Sequence, residues 1–163
     1  MPAANPLQRV MTMIIALALL TQSAVAWDYI VSGSGRYTGH STGVLDAAGT
    51  SSLVFMCSMS ARGAINVEVG ITKPASPSGK DVTLFVEVGS DRFEIEAVSA
   101  GEGNTEVAMT WGGGQTAVSA AARRVYGSDS PVFVTLGADR YEFAGAAMAE
   151  NFARMLDACG GGR

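Results

Sequence analysis

The chain has 163 residues, of which 11 are Lys or Arg, 15 are Asp or Glu and one is His, and its formal net charge is −4. Because phosphate binding needs clustered basic residues, this balance argues against a nucleic-acid-binding protein, and a single histidine leaves little material for a histidine-based metal site or catalytic relay. With 48% hydrophobic and 16% charged residues, the composition is that of a folded chain rather than a disordered one.

Residues 1–26 have the pattern of a secretory signal sequence. Arg9 supplies a positive charge, residues 10–20 form an apolar run, and Ala24-Val25-Ala26 is a small-x-small cleavage site. The apolar run is shorter than the ~20 residues that span a bilayer. The sequence therefore predicts a bacterial periplasmic or secreted protein with one mature domain, residues 27–163. The alternative, an uncleaved N-terminal helix that retains the protein in the membrane as a subunit of a complex, stays open.

The first part of the predicted domain is a strand followed by a long loop. Residues 27–31 combine two aromatic and two β-branched residues, which is typical of a strand. Residues 32–50 are rich in Gly, Ser and Thr and predict a long loop or an irregular edge of the sheet. The continuous apolar run at 52–58 then predicts a strand buried on both faces.

Alternating apolar and polar residues predict most of the remaining strands. Residues 105–111 alternate so that Val107, Met109 and Trp111 are expected to face the core. The other predicted strands are 64–72, 81–88, 92–97, 132–136 and 140–143. Because short links join these strands, we expect an antiparallel sheet.

Two helices complete the prediction. Residues 115–126 are rich in Ala and end in Arg123-Arg124, which suits the negative end of the helix dipole. Residues 146–159 place four apolar side chains on one helical face before a run of glycines; these are Met148, Phe152, Met155 and Cys159. The predicted fold class is mainly β (α+β): an antiparallel β-sandwich or partly closed barrel, with a short internal helix and a C-terminal helix packed on the sheet.

Cys57 and Cys159 are the two cysteines of the chain, and export favours a disulfide bond between them. A redox function would need a Cys-x-x-Cys motif, which the sequence does not contain. Since Cys57 lies in an apolar strand and Cys159 at the end of a helix, the bond is predicted to join the C-terminal helix to the sheet.

Residues that could carry catalysis are few. His40 is the one candidate base for a Ser-His-Asp relay, and its Gly- and Ser-rich surroundings predict a solvated loop that would hold it poorly. Gly112-Gly113-Gly114 is not followed by the Gly-Lys-Ser/Thr of a phosphate-binding loop, so it is interpreted as a flexible link. We expect no metal site and no cofactor.

Four glutamates on predicted strands form a predicted acidic interaction face; they are Glu68, Glu87, Glu94 and Glu96. Such a face could attract a basic partner or cations. Glu94 and Glu96 could instead be a catalytic carboxylate pair, but glycoside hydrolysis needs a cleft that holds the two groups about 5–9.5 Å apart. Solubilising side chains are the simpler interpretation.

The layout of the chain resembles a group of small secreted bacterial proteins. It combines a secretory signal, an aromatic-led first strand, a Cys in the next strand, a meander, and the segments YEFAGA (141–146) and LDAC (156–159). In this the chain is similar to the invasion-associated locus B family and other periplasmic β-sandwich proteins, although it has one cysteine pair. The resemblance implies an envelope protein that acts by binding, and it transfers no catalytic residue.

These observations predict a non-enzymatic binding protein, an accessory subunit or adaptor for a protein assembly in the cell envelope, monomeric or a small oligomer. Its partner is expected to be a protein rather than nucleic acid, and the mature chain is expected to have no membrane span. The first alternative is a carrier of a small molecule or lipid inside a β-barrel cavity. Another is a small hydrolase that uses His40 or the Glu94 and Glu96 pair.

Overall fold

The computed structural model describes residues 26–35, 38–58, 64–74, 79–101, 103–110 and 115–160. The strands and helices in these segments are β1 Asp28–Ser32, β2 Gly39–Leu45, β3 Ser51–Ser58, β4 Ile65–Ile71, β5 Asp81–Val88, β6 Asp91–Ser99, β7 Glu106–Met109, α1 Thr116–Tyr126, β8 Val132–Leu136, β9 Asp139–Phe143 and α2 Glu150–Ala158.

The strands form one antiparallel sheet in the order β1-β2-β3-β4-β7-β6-β5-β8-β9. The two end strands do not pair with each other, so the sheet is not closed. This arrangement fits an α+β β-sandwich and confirms the predicted fold class. The alternating run at 64–72 and the hairpin at 81–97 correspond to β4 and to β5 and β6.

Alternate residues of the strands build one apolar face, which we call the inner face. On β3, Leu53 and Phe55 point to this face and lie opposite Val69 and Val67 of β4. The period of two puts Val54 and the other intervening residues on the opposite, outer face. The buried apolar residues of the inner face are Val44, Leu53, Phe55, Cys57, Ile65, Val67, Val69, Ile71, Leu84, Val86, Val88, Ile95, Ala97, Ala108, Val132, Val134, Leu136 and Phe143.

Two helices cover the inner face. α1 packs on β4, β5 and β6, and α2 packs on β1 and β2. The ring of Phe152 on α2 lies 4.8 Å from that of Trp27 and 5.6 Å from that of Phe55, measured between centroids. Because burying a side chain of this size contributes about 1.5–3 kcal/mol, this aromatic cluster is a main attachment of α2 to the sheet.

The predicted disulfide is present. Cys57 on β3 is bonded to Cys159, which directly follows α2, and their Cα atoms are 5.8 Å apart. The bond closes a loop with a sequence separation of 102. It therefore joins the C-terminal helix to the sheet, as the sequence predicted.

The prediction of a loop or an irregular edge at 32–50 is wrong, because Gly39–Leu45 forms strand β2, which pairs with β1 on one side and β3 on the other. The sequence of β2, GHSTGVL, has few residues that favour strands. Its two neighbours nevertheless supply ladder partners on both sides, and Thr42 and Val44 are buried on the inner face. Tertiary pairing thus overrides the weak local preference.

The C-terminal helix begins later than predicted, at Glu150. Phe152, Met155 and Cys159 are buried as expected, but Met148 is 68% exposed and does not belong to the apolar stripe. Met148 and Ala147 have positive φ values of 59° and 48°. Their backbone N–H groups donate to the carbonyls of Tyr126 and Ser128, at 2.9 and 2.8 Å, so this turn bonds to the end of α1 instead of extending α2.

The predicted orientation of β7 is also wrong. Ala108 lies opposite Val69 of β4 and is buried on the inner face, so Val107 and Met109 lie on the outer face. Apolar residues occur at both phases of this short strand, and pairing with β4 decides between them. Trp111 lies outside the described residues. Likewise, strand 52–58 is buried on one face only, since Val54 is half-buried on the other.

Within the described segments, no helix is long and apolar enough to cross a membrane. Residues 1–25, which contain nearly all of the predicted signal sequence, lie outside these segments, and so do Gly112-Gly113-Gly114. The signal sequence and the flexible link stay predictions.

Candidate functional site

The outer face of the sheet, opposite the helices, differs between its two halves. Toward β1 it carries small residues: Gly43 lies opposite Val54, and Gly70 lies opposite Ser52. Toward β9 it carries charged and aromatic residues on β5, β6, β8 and β9. Small side chains make room for a ligand, whereas the charged half presents a solvated surface.

A groove of about 690 Å³ lies on the small-residue half, beside the turn that joins β2 and β3. This volume is within the ~300–1,000 Å³ of typical small-molecule sites. We call it the β1–β3 groove. The residues that line it are Ala26, Asp28, Ile30, Ser41, Gly43, Val44, Leu45, Asp46, Ala47, Ala48, Gly49, Ser52 and Val54.

The shape of the β1–β3 groove follows from its residue sizes. A Cβ atom built on Gly43 would lie 3.0 Å from Val54 Cγ2, which is closer than an ordinary contact. Glycine at position 43 therefore leaves space above the sheet, which deepens the groove. Ile30 and Leu45 are 62% and 53% exposed, and both line the groove. The groove thus offers apolar surface to a ligand.

The charged residues among those lining the β1–β3 groove are both acidic, Asp28 and Asp46. The carboxylate of Asp46 accepts hydrogen bonds from the backbone N–H and the hydroxyl of Thr50, at 2.8 and 3.0 Å. Burial would raise the pKa of Asp46, but hydrogen bonds from Thr50 and Ser51 outweigh burial and hold the pKa below its ordinary value. Asp46 is therefore ionised at neutral pH, and its position is fixed by its own turn.

The predicted acidic face is only partly acidic. The strand register places all four glutamates on the outer face, but β7 separates Glu68 on β4 from the others. The carboxylate of Glu87 lies 3.0 Å from Arg140 Nη2 and 3.7 Å from Arg92 Nη1. Glu94 and Glu96 are exposed on β6. The four residues therefore do not form one compact negative cluster.

Two arginines cover aromatic rings beside Glu87. The guanidinium carbon of Arg140 lies 4.0 Å from the centroid of Phe133, and that of Arg92 lies 4.1 Å from the centroid of Phe85. Such cation–π contacts contribute about 0.5–1 kcal/mol at exposed sites. The arrangement shields the two rings from water, which is a structural function.

Glu68 has a different environment from the other glutamates. It is half-buried between Val54 and Met109, its partners in the sheet, and it forms no hydrogen bond or ion pair with any described residue. Burial raises the pKa of its carboxyl above the ordinary value of 4.5. An unpartnered acid in this setting lowers stability when it is ionised.

His40 lies in strand β2 and not in a loop, contrary to the prediction. It pairs in register with Cys57, and its Nδ1 is 2.7 Å from the hydroxyl of Tyr29. Arg154 of α2 lies over the Tyr29 ring, with its guanidinium carbon 4.4 Å from the centroid. In the described part of the chain, no hydrogen bond joins His40 to a carboxylate, so the geometry offers no Ser-His-Asp relay there.

A charged group that the sequence did not reveal joins two distant segments. Lys73, after β4, contacts Asp139 of β9 at 2.8 Å. Their hydrogen bond raises the pKa of Lys73 and lowers that of Asp139. Burial raises the pKa of Tyr141 nearby. Because the ion pair is exposed, solvent screens it and it contributes little to stability, but it links the end of β4 to the β8–β9 turn.

Over the described ranges, no group of three or more His, Cys, Asp or Glu residues is placed to hold a metal ion. Comparison with protein-family models, curated proteins and solved structures gives no match to this chain. In the described part of the chain, the fold is thus an α+β protein with one sheet that does not close, a groove that combines apolar and acidic residues, and an edge strand, β1, that pairs with β2 alone.

Proposed function

We propose that this chain is an exported, non-enzymatic binding protein of the bacterial cell envelope. It acts as an adaptor or accessory subunit, and its partner protein adds a strand to the edge of β1. The observation that carries this proposal is the apolar exposure of that edge.

The two edges of the sheet differ in how they resist pairing. Among the described residues, β1 pairs with β2 alone, and Ile30 and Val31 are 62% and 53% exposed. The opposite edge, β9, carries exposed charges at Asp139, Arg140 and Glu142. Charged side chains discourage strand addition, whereas exposed apolar residues favour it. Strand addition is a common form of peptide recognition, and β1 suits it better than β9.

Three further observations support the proposal. The disulfide between Cys57 and Cys159 is of the kind that persists in oxidising compartments. The predicted signal sequence agrees with such a location. Glu94 and Glu96 are exposed on an open sheet face rather than in a cleft, which favours a solubilising function over catalysis.

The alternative of a carrier with an interior barrel cavity receives less support. The sheet is not closed, and α1 and α2 cover its inner face. Their side chains occupy the position in which a barrel carrier would hold its ligand.

The test is a comparison of two edge variants in the native host. Ile30→Lys places a charge on the β1 edge, and Glu142→Lys changes the charge on the β9 edge as the matched control. A photo-cross-linking residue at position 31 is expected to capture a specific envelope protein, and Ile30→Lys is expected to abolish the capture while Glu142→Lys preserves it. Equal capture by both variants, with circular dichroism showing both folded, would contradict the proposal.

A further inference from the structure

We propose that the β1–β3 groove binds a small amphiphilic cation, a molecule with an apolar body and one positively charged group such as a quaternary ammonium. The ligand would contact side chains of the outer face, including Asp28 and Ile30 of β1, and not the backbone edge of β1 to which a strand would be added. This inference therefore does not rest on the function proposed above.

The apolar body of the ligand is matched by the walls of the groove. Ile30 and Leu45 are among the few large apolar side chains of the described chain that are exposed, and both line the groove together with Val54. Covering this surface removes apolar area from water, which favours binding. The volume of about 690 Å³ accommodates a molecule of drug-like size.

The positive charge of the ligand is matched by Asp28 and Asp46. They are the charged residues among the described lining residues, and no Lys, Arg or His accompanies them there. Asp46 is held in place by Thr50, so its charge is already oriented before a ligand arrives. Asp28 also lines the groove, and among the described residues its carboxylate has no hydrogen-bond or ion-pair partner, so it can pair directly with a ligand.

The signs of these charges select among ligands of equal size. An anionic amphiphile would bring its charge beside two carboxylates, and a neutral one would gain nothing from them. The net charge of −4 also favours the approach of cations. The turn at 46–49 also lines the groove, next to the strands. A groove with a turn in its lining suits a compact molecule better than an extended polypeptide that must run through it.

The test uses octyltrimethylammonium below its micelle concentration as the probe, with ¹⁵N-labelled protein observed by NMR. We expect saturable shifts of the backbone amides of Asp28, Gly43 and Gly49, which report the groove. Octyl sulfate has the same chain with the opposite charge and is expected to bind at least about tenfold more weakly. Binding of the cation is expected to weaken as salt is added.

Two variants and one matched control complete the test. Asp28→Asn keeps the shape of the groove and is expected to remove most of the preference for the cation. Gly43→Val fills the floor and is expected to abolish binding of both probes; if that variant does not fold, Leu45→Ala replaces it and is expected to weaken both probes. Glu94→Gln removes one charge elsewhere on the outer face and is expected to leave binding unchanged.

Three outcomes would overturn this inference. Equal affinity for octyl sulfate would show that the groove is merely apolar. An unchanged preference in Asp28→Asn would remove the charge argument. Groove shifts caused by a Lys-Val repeat peptide, but not by octyltrimethylammonium, would show that a protein segment is the occupant. None of these outcomes depends on whether an envelope protein pairs with β1.

Discussion

Glu68 shows how one side chain can oppose the stability of the sheet that holds it. Its neighbours across the sheet, Val54 and Met109, are apolar, and burial raises the pKa of the carboxyl above 4.5. A carboxyl with a raised pKa binds more protons in the folded state than in the unfolded state. Stability is therefore greatest below its unfolded pKa and decreases as the pH rises through its folded pKa.

Glu68→Gln is expected to raise the melting temperature at pH 7 by about 1–3 °C, because the amide carries no charge to desolvate. At pH 4 the carboxyl is mostly protonated in both states, so the gain is expected to vanish. Thermal unfolding at the two pH values measures this. Glu94→Gln, at an exposed position of β6, serves as the control and is expected to leave the melting temperature unchanged at both pH values. A loss of stability at pH 7 would contradict the prediction.

For single residues, the sequence predicts which apolar positions belong to the core of a strand or helix better than it predicts which face of the sheet a side chain occupies. Cys57 and Phe152 were correctly placed in the core. In β7 apolar residues occur at both phases, so pairing with β4 had to decide that Ala108 points inward. The Lys73–Asp139 pair joins residues 66 positions apart, and no local pattern announces it.

At the scale of elements, long runs of alternating apolar and polar residues predict strands correctly, whereas strands with few apolar residues are not predicted. β4 alternates strictly in sequence and β5 alternates in burial along most of its length, and the predicted bounds of both agree with the structure within one residue at each end. β2 was missed because its glycines and serines suggest a loop, although Ser41 and Gly43 alternate with the buried Thr42 and Val44. The β1–β3 groove was missed for the same reason, since Ser41 and Gly43 of β2 line it.

The disulfide that joins α2 to the sheet leads to a prediction about stability. The chain-entropy model assigns about 4.7 kcal/mol to closing a loop of ~100 residues, so reduction is expected to lower the melting temperature by about 10 °C or more. Differential scanning calorimetry with and without reductant measures the change. The double variant C57A/C159A is the control: it is expected to melt lower and to ignore the reductant. Identical melting of the oxidised and reduced protein would contradict the prediction.

At the scale of the whole molecule, the sequence predicted the class of fold and the pairing of the cysteines, but not the order of the strands. β7 lies between β4 and β6 although it follows both in the chain. No local preference encodes such an insertion. It arises because β7, β6 and β5 together continue the inner face from β4 to β8.

The proposed export of the chain leads to a last prediction. N-terminal sequencing of the protein from its native host is expected to start at Trp27, because Ala24-Val25-Ala26 fits the cleavage site. The same preparation is expected to contain no titratable thiol, since Cys57 and Cys159 are bonded. A protein that begins at Met1 and fractionates with membranes would instead support the retained-helix alternative.

Trp27 lies beneath the helix that ends the described chain. Its carbonyl accepts a hydrogen bond from Asn151 at 2.8 Å, and its ring packs against Phe152. Because synthesis proceeds from the N-terminus, a nascent chain that has reached Phe143 does not yet contain α2, the helix that packs against Trp27. The native core can form completely only after α2 has been synthesised. Such a delay leaves the core incomplete until α2 has been synthesised, which agrees with the export proposed above.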